Sequence, residues 1–296
     1  MEQAIYDLKR LFALREALET LDLTAPPTVH VFSPGTVPPF RRVGILCGSF
    51  NPLTLAHTEL AARASETYQL DCVFFTLAKV TVDKEQITGL GLADRLLLLS
   101  LYAQRHDCTG VALVNRGLYF EQAQAFRSLL GDRVELNFVV GMDKLLQILD
   151  PRYYQDRDAA LRQLFALASL IVANRGDMEQ EEFNQLLDRP ENRPYRSHVR
   201  FCPLPVTITD LSATAVRHGL AAGKAMDETV PTETVTFLAE THAFAPLLPD
   251  GNELIDAYAV RLALLESLYA ARSWAAPEVD FRALMQIALA ASATRE

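Results

Sequence analysis

Short apolar runs alternate with longer amphipathic stretches through the middle of this chain. A short apolar run bounded by turn residues is typical of a buried strand, whereas the stretches between the runs have helical periodicity. Strands are predicted at residues 43–47, 72–77, 111–114, 136–140 and 170–173. The alternation predicts an α/β fold with a doubly wound parallel sheet, helices on both faces and ligands at the carboxyl ends of the strands.

Helical patterns continue beyond both ends of this region. Residues 2–22 have apolar positions at helical spacing, and prolines and glycine at 33–39 indicate a linker or surface loop before the first strand. A short helix follows Pro231, and residues 252–272 and 279–291 form two more amphipathic helices.

We therefore divide the chain into three parts. The predicted parts are an N-terminal helix and linker at 1–42, a central domain at 43–245 and a C-terminal helical extension at 246–296. The two terminal parts are expected to cap the core or to make a subunit contact in a homo-oligomer.

Composition narrows the class of partner. The 296 residues are 50% hydrophobic and carry a net charge of −9, which argues against a nucleic-acid polymer as the main partner. The sequence shows neither a secretory signal pattern nor an apolar run long enough to span a bilayer, so a cytoplasmic protein without a membrane partner is expected. The four cysteines have no metal-like spacing, and no protein-bound metal is predicted.

The most informative segment follows the first predicted strand. Gly48-Ser49-Phe50-Asn51-Pro52 forms a glycine turn, and Thr54 and His57 stand at the start of the next helix. The amides of Gly48 and Ser49 are expected to approach an anion, and the free N–H groups of the helix add positive charge. The pattern therefore predicts a phosphate site, to which His57 donates.

A second helix start lies much later in the chain. In Asp210-Leu211-Ser212-Ala213-Thr214-Ala215-Val216-Arg217 the hydroxyl residues by themselves are typical of helix caps, and the arginine is typical of a surface charge. Finding both segments in this order favours a joint role in phosphate binding.

The first segment, Gly-Ser-Phe-Asn-Pro-x-Thr-x-x-His, and the second both resemble motifs of the nicotinamide/nicotinate-mononucleotide adenylyltransferase family of nucleotidyltransferases. The resemblance covers about residues 43–245 and implies a Rossmann-like fold. It also implies an enzyme that moves AMP from ATP to a mononucleotide phosphate, forming a dinucleotide of the NAD type and pyrophosphate. Mg²⁺ is expected to accompany ATP, with few ligands from the protein.

The resemblance also assigns roles to individual residues. It implies that His57 contacts the α-phosphate and that Arg217 holds the β- and γ-phosphates, and these two are the predicted catalytic residues. The residues expected to bind ATP are Gly48, Ser49, Phe50, Thr54, Gly141, Asp143, Ser212 and Thr214. The candidate contacts to phosphate or to the acceptor are Lys84, Arg175, Tyr153 and Tyr154.

Departures from the family pattern leave alternatives open. Ala213 replaces a usual serine, and Tyr153 and Tyr154 stand near where a tryptophan commonly stacks on the acceptor ring. Pantetheine-phosphate adenylyltransferase and cytidylyltransferase are the enzymatic alternatives. A nucleotide-binding regulatory protein without turnover is the alternative outside the enzymes.

Overall fold

The structure is a computed structural model of the chain. It describes residues 1–33, 35, 39–80, 89–174, 176, 178, 180–250, 253–271 and 279–292. Two of the predicted contact residues, Lys84 and Arg175, lie outside the described residues.

The described residues form strands and helices in alternation. The strands are β1 Val29–Ser33, β2 Arg42–Cys47, β3 Cys72–Ala78, β4 Thr109–Val114, β5 Glu135–Gly141, β6 Ala168–Ala173, β7 Val199–Cys202, β8 Leu248–Asp250 and β9 Glu253–Ile255. The α-helices are α1 Glu2–Ile5, α2 Leu8–Thr20, α3 Leu55–Tyr68, α4 Leu92–Ala103, α5 Tyr119–Leu130, α6 Met142–Leu149, α7 Arg157–Leu167, α8 Gln180–Asp188, α9 Val206–Thr209, α10 Ala213–Ala221, α11 Thr232–Thr241, α12 Ala257–Ala270 and α13 Phe281–Ser292. Two 3₁₀ helices span Pro151–Tyr153 and Arg193–His198.

The main sheet confirms the predicted doubly wound architecture. Its seven strands lie in the order β1-β4-β3-β2-β5-β6-β7, and β8 and β9 form a separate hairpin. All neighbours from β4 to β7 are parallel, and only β1 is antiparallel to its partner. The order of the strands reverses between β2 and β5, so the carboxyl ends of these two strands flank the crevice where ligands bind in such folds.

The sheet separates two apolar cores. Side chains alternate along each strand, so Ile45 faces one core and Leu46 the other, as do Phe74 and Phe75. Helices α3 and α4 cover the Leu46 face, whereas α5, α6, α7 and α8 cover the opposite face. This two-sided cover explains why the central strands are continuous apolar runs in the sequence.

Two strands of the sheet were not predicted from the apolar runs. Among the described residues, strand β1 pairs only with β4 at one edge, and its five residues are exposed or half-buried, so it has no continuous apolar run. Strand β7 has four residues and, in the same described part of the chain, pairs only with β6. An edge strand needs less apolar burial than a central one, which removes the signal that identifies strands in the sequence.

The N-terminal segment crosses the carboxyl ends of β3 and β4. The buried Asn115 amide accepts from the Thr28 N–H at 2.8 Å and donates to the carbonyls of Asp22 and Pro26 at 2.9 and 3.1 Å. The ammonium group of Lys79 donates to the Leu21 carbonyl at 2.7 Å. The side chains of Lys79 and Asn115 at these strand ends therefore bind backbone groups of the N-terminal segment.

Both terminal parts pack into the core on the Leu46 face of the sheet. Ile5 and Phe12 from the N-terminal helices belong to it, together with Tyr258 of α12 and Phe281 and Met285 of α13. Within the part of the chain that the structure describes, no helix is both long and apolar enough to span a membrane.

Candidate active site

The loop 48–54, the phosphate loop, connects β2 to α3. It lies at the switch point of the sheet, where the order of the strands reverses between β2 and β5. The Gly48 N–H donates to the Thr76 carbonyl at 3.2 Å, which extends the strand ladder by one residue. This amide therefore has an acceptor on the neighbouring strand, and its approach to an anion stays a prediction. The adjacent Ser49 is exposed at the end of the strand.

Phe50 lies under the phosphate loop, with its side chain fully buried. Its ring contacts those of His57 and Phe75, with centroids 5.1 and 5.5 Å away. A Cβ atom at Gly48 would come within 3.0 Å of the Phe50 ring, so glycine is needed there to admit the phenylalanine. The Phe50 ring therefore supports the loop and His57 from below, and the binding of ATP by Phe50 stays a prediction.

Thr54 and His57 are joined at the start of α3. The His57 Nδ1 atom lies 3.1 Å from the Thr54 backbone nitrogen and 2.7 Å from the Thr54 hydroxyl oxygen. A backbone N–H can only donate, so Nδ1 is the acceptor and the proton of the neutral ring is on Nε2. Thr54 has no exposed surface, and its hydroxyl orients His57. Its contact with ATP stays a prediction.

Burial also determines the charge of this ring. Desolvation lowers the pKa of His57 from 6.5 to about 4, so the imidazole is neutral at pH 7. A neutral ring with Nε2–H is a hydrogen-bond donor, and it needs no counter-ion while the site is empty of phosphate.

The second motif reaches the phosphate loop through Arg217. Its Nη1 atom donates to the Asn51 carbonyl at 2.7 Å, and Nη2 donates to the Thr214 hydroxyl at 3.1 Å. Ser212 is the N-cap of α10 and accepts from the Ala215 N–H at 3.1 Å. The second helix start therefore contacts the phosphate loop at Asn51, and Ser212 and Thr214 are both exposed.

A second arginine holds the phosphate loop from the other side. The Arg95 Nη1 atom donates to the Ser49 carbonyl at 3.2 Å, and the Leu90 N–H donates to Asn51 Oδ1 at 2.9 Å. Arg95 is buried at the start of α4, and its position in the first turn of a helix gave little indication of this contact. Neither arginine contact is visible in sequence spacing, because the partners are backbone carbonyls.

Gly141 lies at the end of β5, across the switch point from Gly48. It is the N-cap of α6, and a Cβ atom added there would meet no atom within 4 Å. Its φ of −83° suits any residue, so neither strain nor packing within the described residues requires glycine. Asp143 is exposed in the first turn of α6, close to this open space.

Aromatic residues lie on the α5 and α6 side of the crevice. Tyr154 donates from its hydroxyl to the Ile148 carbonyl at 3.0 Å, and burial raises its pKa to about 12. Tyr119 packs edge-to-face on Phe138, and burial also raises its pKa. Tyr153 is half-buried in the 3₁₀ helix after α6.

Lys144 brings a positive charge to this part of the crevice. Its charge opposes the rise that burial causes in the pKa of Cys47, at the end of β2. The lysine also donates to the amide oxygen of Gln147. Sequence analysis missed Lys144, because a lysine in the first turns of a helix is usually a solvated surface residue.

The chain matches a known protein family over its central part. A family model described as cytidylyltransferase-like matches residues 45–218, which include both motifs and the switch point. The chain belongs to this cytidylyltransferase-like family. The match excludes the N-terminal helices and the whole of α11, α12 and α13.

Individual relatives of the chain carry more specific names. The probable nicotinate-nucleotide adenylyltransferase of Clostridium beijerinckii (strain ATCC 51743 / NCIMB 8052) is 25% identical over 199 residues, covering 64% of this chain and 93% of the relative. The protein of the same name from Synechococcus sp. (strain JA-3-3Ab) is 29% identical, covering 66% and 90%. A putative nicotinamide mononucleotide adenylyltransferase of Schizosaccharomyces pombe (strain 972 / ATCC 24843) is 26% identical over 139 residues, covering 46% and 54%.

Solved structures share the fold. The Plasmodium falciparum nicotinic acid mononucleotide adenylyltransferase complexed with NaAD has a TM-score of 0.52 to this chain at 14% identity, covering 69% of this chain and 97% of the other. The likeness supports the Rossmann-like architecture of the sheet.

The depressed pKa of His57 predicts a pH-dependent stability. The unfolded state binds a proton near pH 6.5 and the folded state only near pH 4, so acid favours unfolding between these values. The contribution of His57 is complete above pH 6.5 and is lost as the pH falls, by on the order of 1 kcal/mol per pH unit. Urea unfolding from pH 7.5 to 4.5 measures the slope.

The control for this slope is His57→Gln. Glutamine is a regular partner at the third position of a capping box, so it keeps the helix start without titrating. We expect its stability to fall less steeply than that of the natural protein over this range. Equal slopes for the two proteins would contradict the assignment.

Proposed function

We propose that this protein is an adenylyltransferase that moves AMP from ATP to nicotinate or nicotinamide mononucleotide, with release of pyrophosphate. The proposal is supported by membership of the cytidylyltransferase-like family and by relatives named for this reaction. The observation that carries it is the hydrogen bond from Arg217 to the Asn51 carbonyl, which joins the second motif to the loop that bears His57.

The chemistry needs positioning and charge stabilisation more than a protein nucleophile. An oxygen of the acceptor phosphate attacks the α-phosphorus of ATP in line. The new P–O bond forms as the bond from the α-phosphorus to the bridging oxygen breaks, and pyrophosphate leaves with that electron pair. His57, neutral with its proton on Nε2, donates to the α-phosphate as negative charge builds there.

Arg217 acts on the leaving side of the reaction. In our proposal its guanidinium binds the β- and γ-phosphates, with Ser212 and Thr214 as hydroxyl donors at the same helix start. Arg217 Nη1 keeps the Asn51 carbonyl, and the remaining N–H groups of the guanidinium bind the substrate phosphate. Mg²⁺ enters as part of MgATP. The part of the chain that the structure describes has no cluster of three or more acidic, histidine or cysteine side chains suited to a metal.

The remaining predicted contacts complete the proposal. Gly141 and Asp143 bind the ribose and adenine side of ATP, because a carboxylate can accept from two vicinal hydroxyls. In our proposal Tyr153 and Tyr154 contact the acceptor ring, and Lys144, whose charge acts on Cys47, adds positive charge to the crevice. We place the reaction in the cytoplasm, as the sequence predicts.

A pyrophosphate-release assay tests the function directly. The purified protein is given MgATP or MgCTP with nicotinate mononucleotide, nicotinamide mononucleotide or pantetheine phosphate. We expect release only with MgATP and a pyridine mononucleotide, and formation of the matching dinucleotide. Release with pantetheine phosphate or with CTP would contradict the proposal, and ATP binding without release would indicate a regulatory protein.

The variant that removes the donor in this assay is His57→Ala, because alanine has no side-chain N–H group. His57→Gln, which keeps the helix cap and an amide donor, is its matched control. We expect kcat of His57→Ala to fall on the order of 100-fold, the usual effect of removing one donor to a transition state. A kcat of His57→Ala close to that of the natural protein would exclude His57 from the chemistry.

Replacement of Arg217 is expected to affect one substrate selectively. Arg217→Ala should raise KM for MgATP and Kd for pyrophosphate by about tenfold or more, because a charge-assisted contact to phosphate is lost. KM for the mononucleotide should change little. The neighbouring exposed residue His218, changed to Ala, is the control. Equal losses for both substrates would contradict the assignment.

Gly141 offers a test in which the fold stays intact. A methyl group at this position meets open space, so Gly141→Ala should shift Tm very little. The same methyl group would occupy space next to the bound nucleotide, and we expect KM for MgATP to rise about tenfold. Thermal unfolding and initial-rate kinetics on the same preparation separate the two effects, and unchanged ATP kinetics would show that the nucleotide binds elsewhere.

A further inference from the structure

Helix α12 contributes a fully buried arginine to the region behind the phosphate loop. Arg261 has no exposed side-chain surface, and its Nη1 atom donates to Asp94 Oδ2 at 2.6 Å. The Asp94 side chain is only 2% exposed. Helix α12 lies outside the segment 45–218 that matches the family, so this ion pair joins a helix beyond the match to α4 within it.

Tyr258, one helical turn before Arg261, reinforces the same contact. Its hydroxyl donates to Asp94 Oδ2 at 2.7 Å and accepts from the Gly91 N–H at 2.9 Å. Gly91 is the N-cap of α4, and Asp94 lies in the first turn of that helix. One tyrosine and one arginine of α12 therefore determine where α4 begins and how its first turn is oriented.

The same turn of α4 holds the phosphate loop. Arg95, next to Asp94, donates to the Ser49 carbonyl at 3.2 Å. The Leu90 N–H, next to Gly91, donates to Asn51 Oδ1 at 2.9 Å. These contacts connect α12 through residues 90–95 to Ser49 and Asn51 of the phosphate loop.

The electrostatics of the ion pair favour a positioning role over a purely stabilising one. Asp94 Oδ1 and the Nε and Nη2 atoms of Arg261 are buried without a hydrogen-bond partner among the described residues. A protein with such a buried ion pair is often no more stable than one with apolar side chains of similar volume in its place. The ion pair and Tyr258 instead fix the orientation of the first turn of α4, because hydrogen bonds from a guanidinium and a hydroxyl form only at certain distances and angles.

We propose that α12 positions the phosphate loop, and that Tyr258 and Arg261 are its positioning residues. Their effect on catalysis rests on the proposed function, whereas their effect on the conformation of the loop does not. The proposal gives the C-terminal extension a role in ATP binding, although none of its described residues is assigned a contact with the nucleotide.

Tyr258→Phe is the central test, because it removes one oxygen atom and keeps the ring in the core. Hydrogen exchange is measured on the ligand-free full chain, with peptides from residues 48–58 compared with those from β5. We expect exchange in residues 48–58 to be about tenfold faster in this variant than in the natural protein, whereas exchange in β5 stays unchanged. Faster exchange confined to α12 and residues 89–95 would overturn the proposal.

The matched control is Tyr269→Phe, on the same helix. The Tyr269 hydroxyl donates to Glu19 Oε2 at 2.8 Å and is exposed, so its loss leaves α4 untouched. We expect no change of exchange in residues 48–58 for this variant. An equal change in both variants would show that any perturbation of α12 suffices, which would overturn the specific role of Tyr258.

Kinetics on the same variants separate positioning from stability. Tyr258→Phe should raise KM for MgATP about fivefold or more while leaving KM for the mononucleotide unchanged. A lower Tm with unchanged constants and unchanged exchange in the loop would show a structural role only. Should the natural protein lack turnover, the exchange result still decides the positioning role, and the failure belongs to the proposed function.

Arg261→Lys provides a second, independent variant. Lysine keeps the positive charge opposite Asp94 but loses the planar fork that fixes direction. We expect faster exchange in residues 48–58 here as well, by a factor similar to that of Tyr258→Phe. Loop exchange and KM for MgATP equal to those of the natural protein would show that charge alone is sufficient, against the proposal.

Discussion

The site depends on how two backbone carbonyls of the phosphate loop are held. Arg95 donates to the carbonyl of Ser49, and Arg217 donates to that of Asn51. The two arginines come from different helix starts, α4 and α10, so the loop is fixed between elements far apart in sequence. Because a guanidinium presents several N–H groups in one plane, it can hold a carbonyl and still offer donors to an anion.

His57, which follows this loop, is held as a neutral and oriented hydrogen-bond donor. Thr54 supplies two donors to Nδ1, Phe50 supports the ring from below, and desolvation lowers its pKa to about 4. A neutral donor that is already oriented costs little reorganisation when negative charge develops on a substrate. The positive charge that the proposed function requires for a triphosphate would come from arginine and from the helix starts, in a chain whose net charge is −9.

Elements outside the family match shape the crevice on two sides. The N-terminal segment occupies Lys79 and Asn115 at the ends of β3 and β4, so these groups bind protein carbonyls. Helix α12 packs behind α4 and reaches its first turn. The open part of the switch point is therefore the part between β2 and β5, where Gly141 leaves space.

Sequence alone determined the α/β class, the central strands and the two helix starts that carry His57 and Arg217, because apolar runs, glycine turns and caps are local signals. It did not predict β1 or β7, since edge strands bury too little to produce a run. It predicted Phe50 and Thr54 as ATP-binding residues but not that both are buried in contact with His57. Only the tertiary structure decided that Arg95 and Arg261 belong to the site region, because their partners are a carbonyl and a carboxylate distant in sequence and no spacing records such contacts.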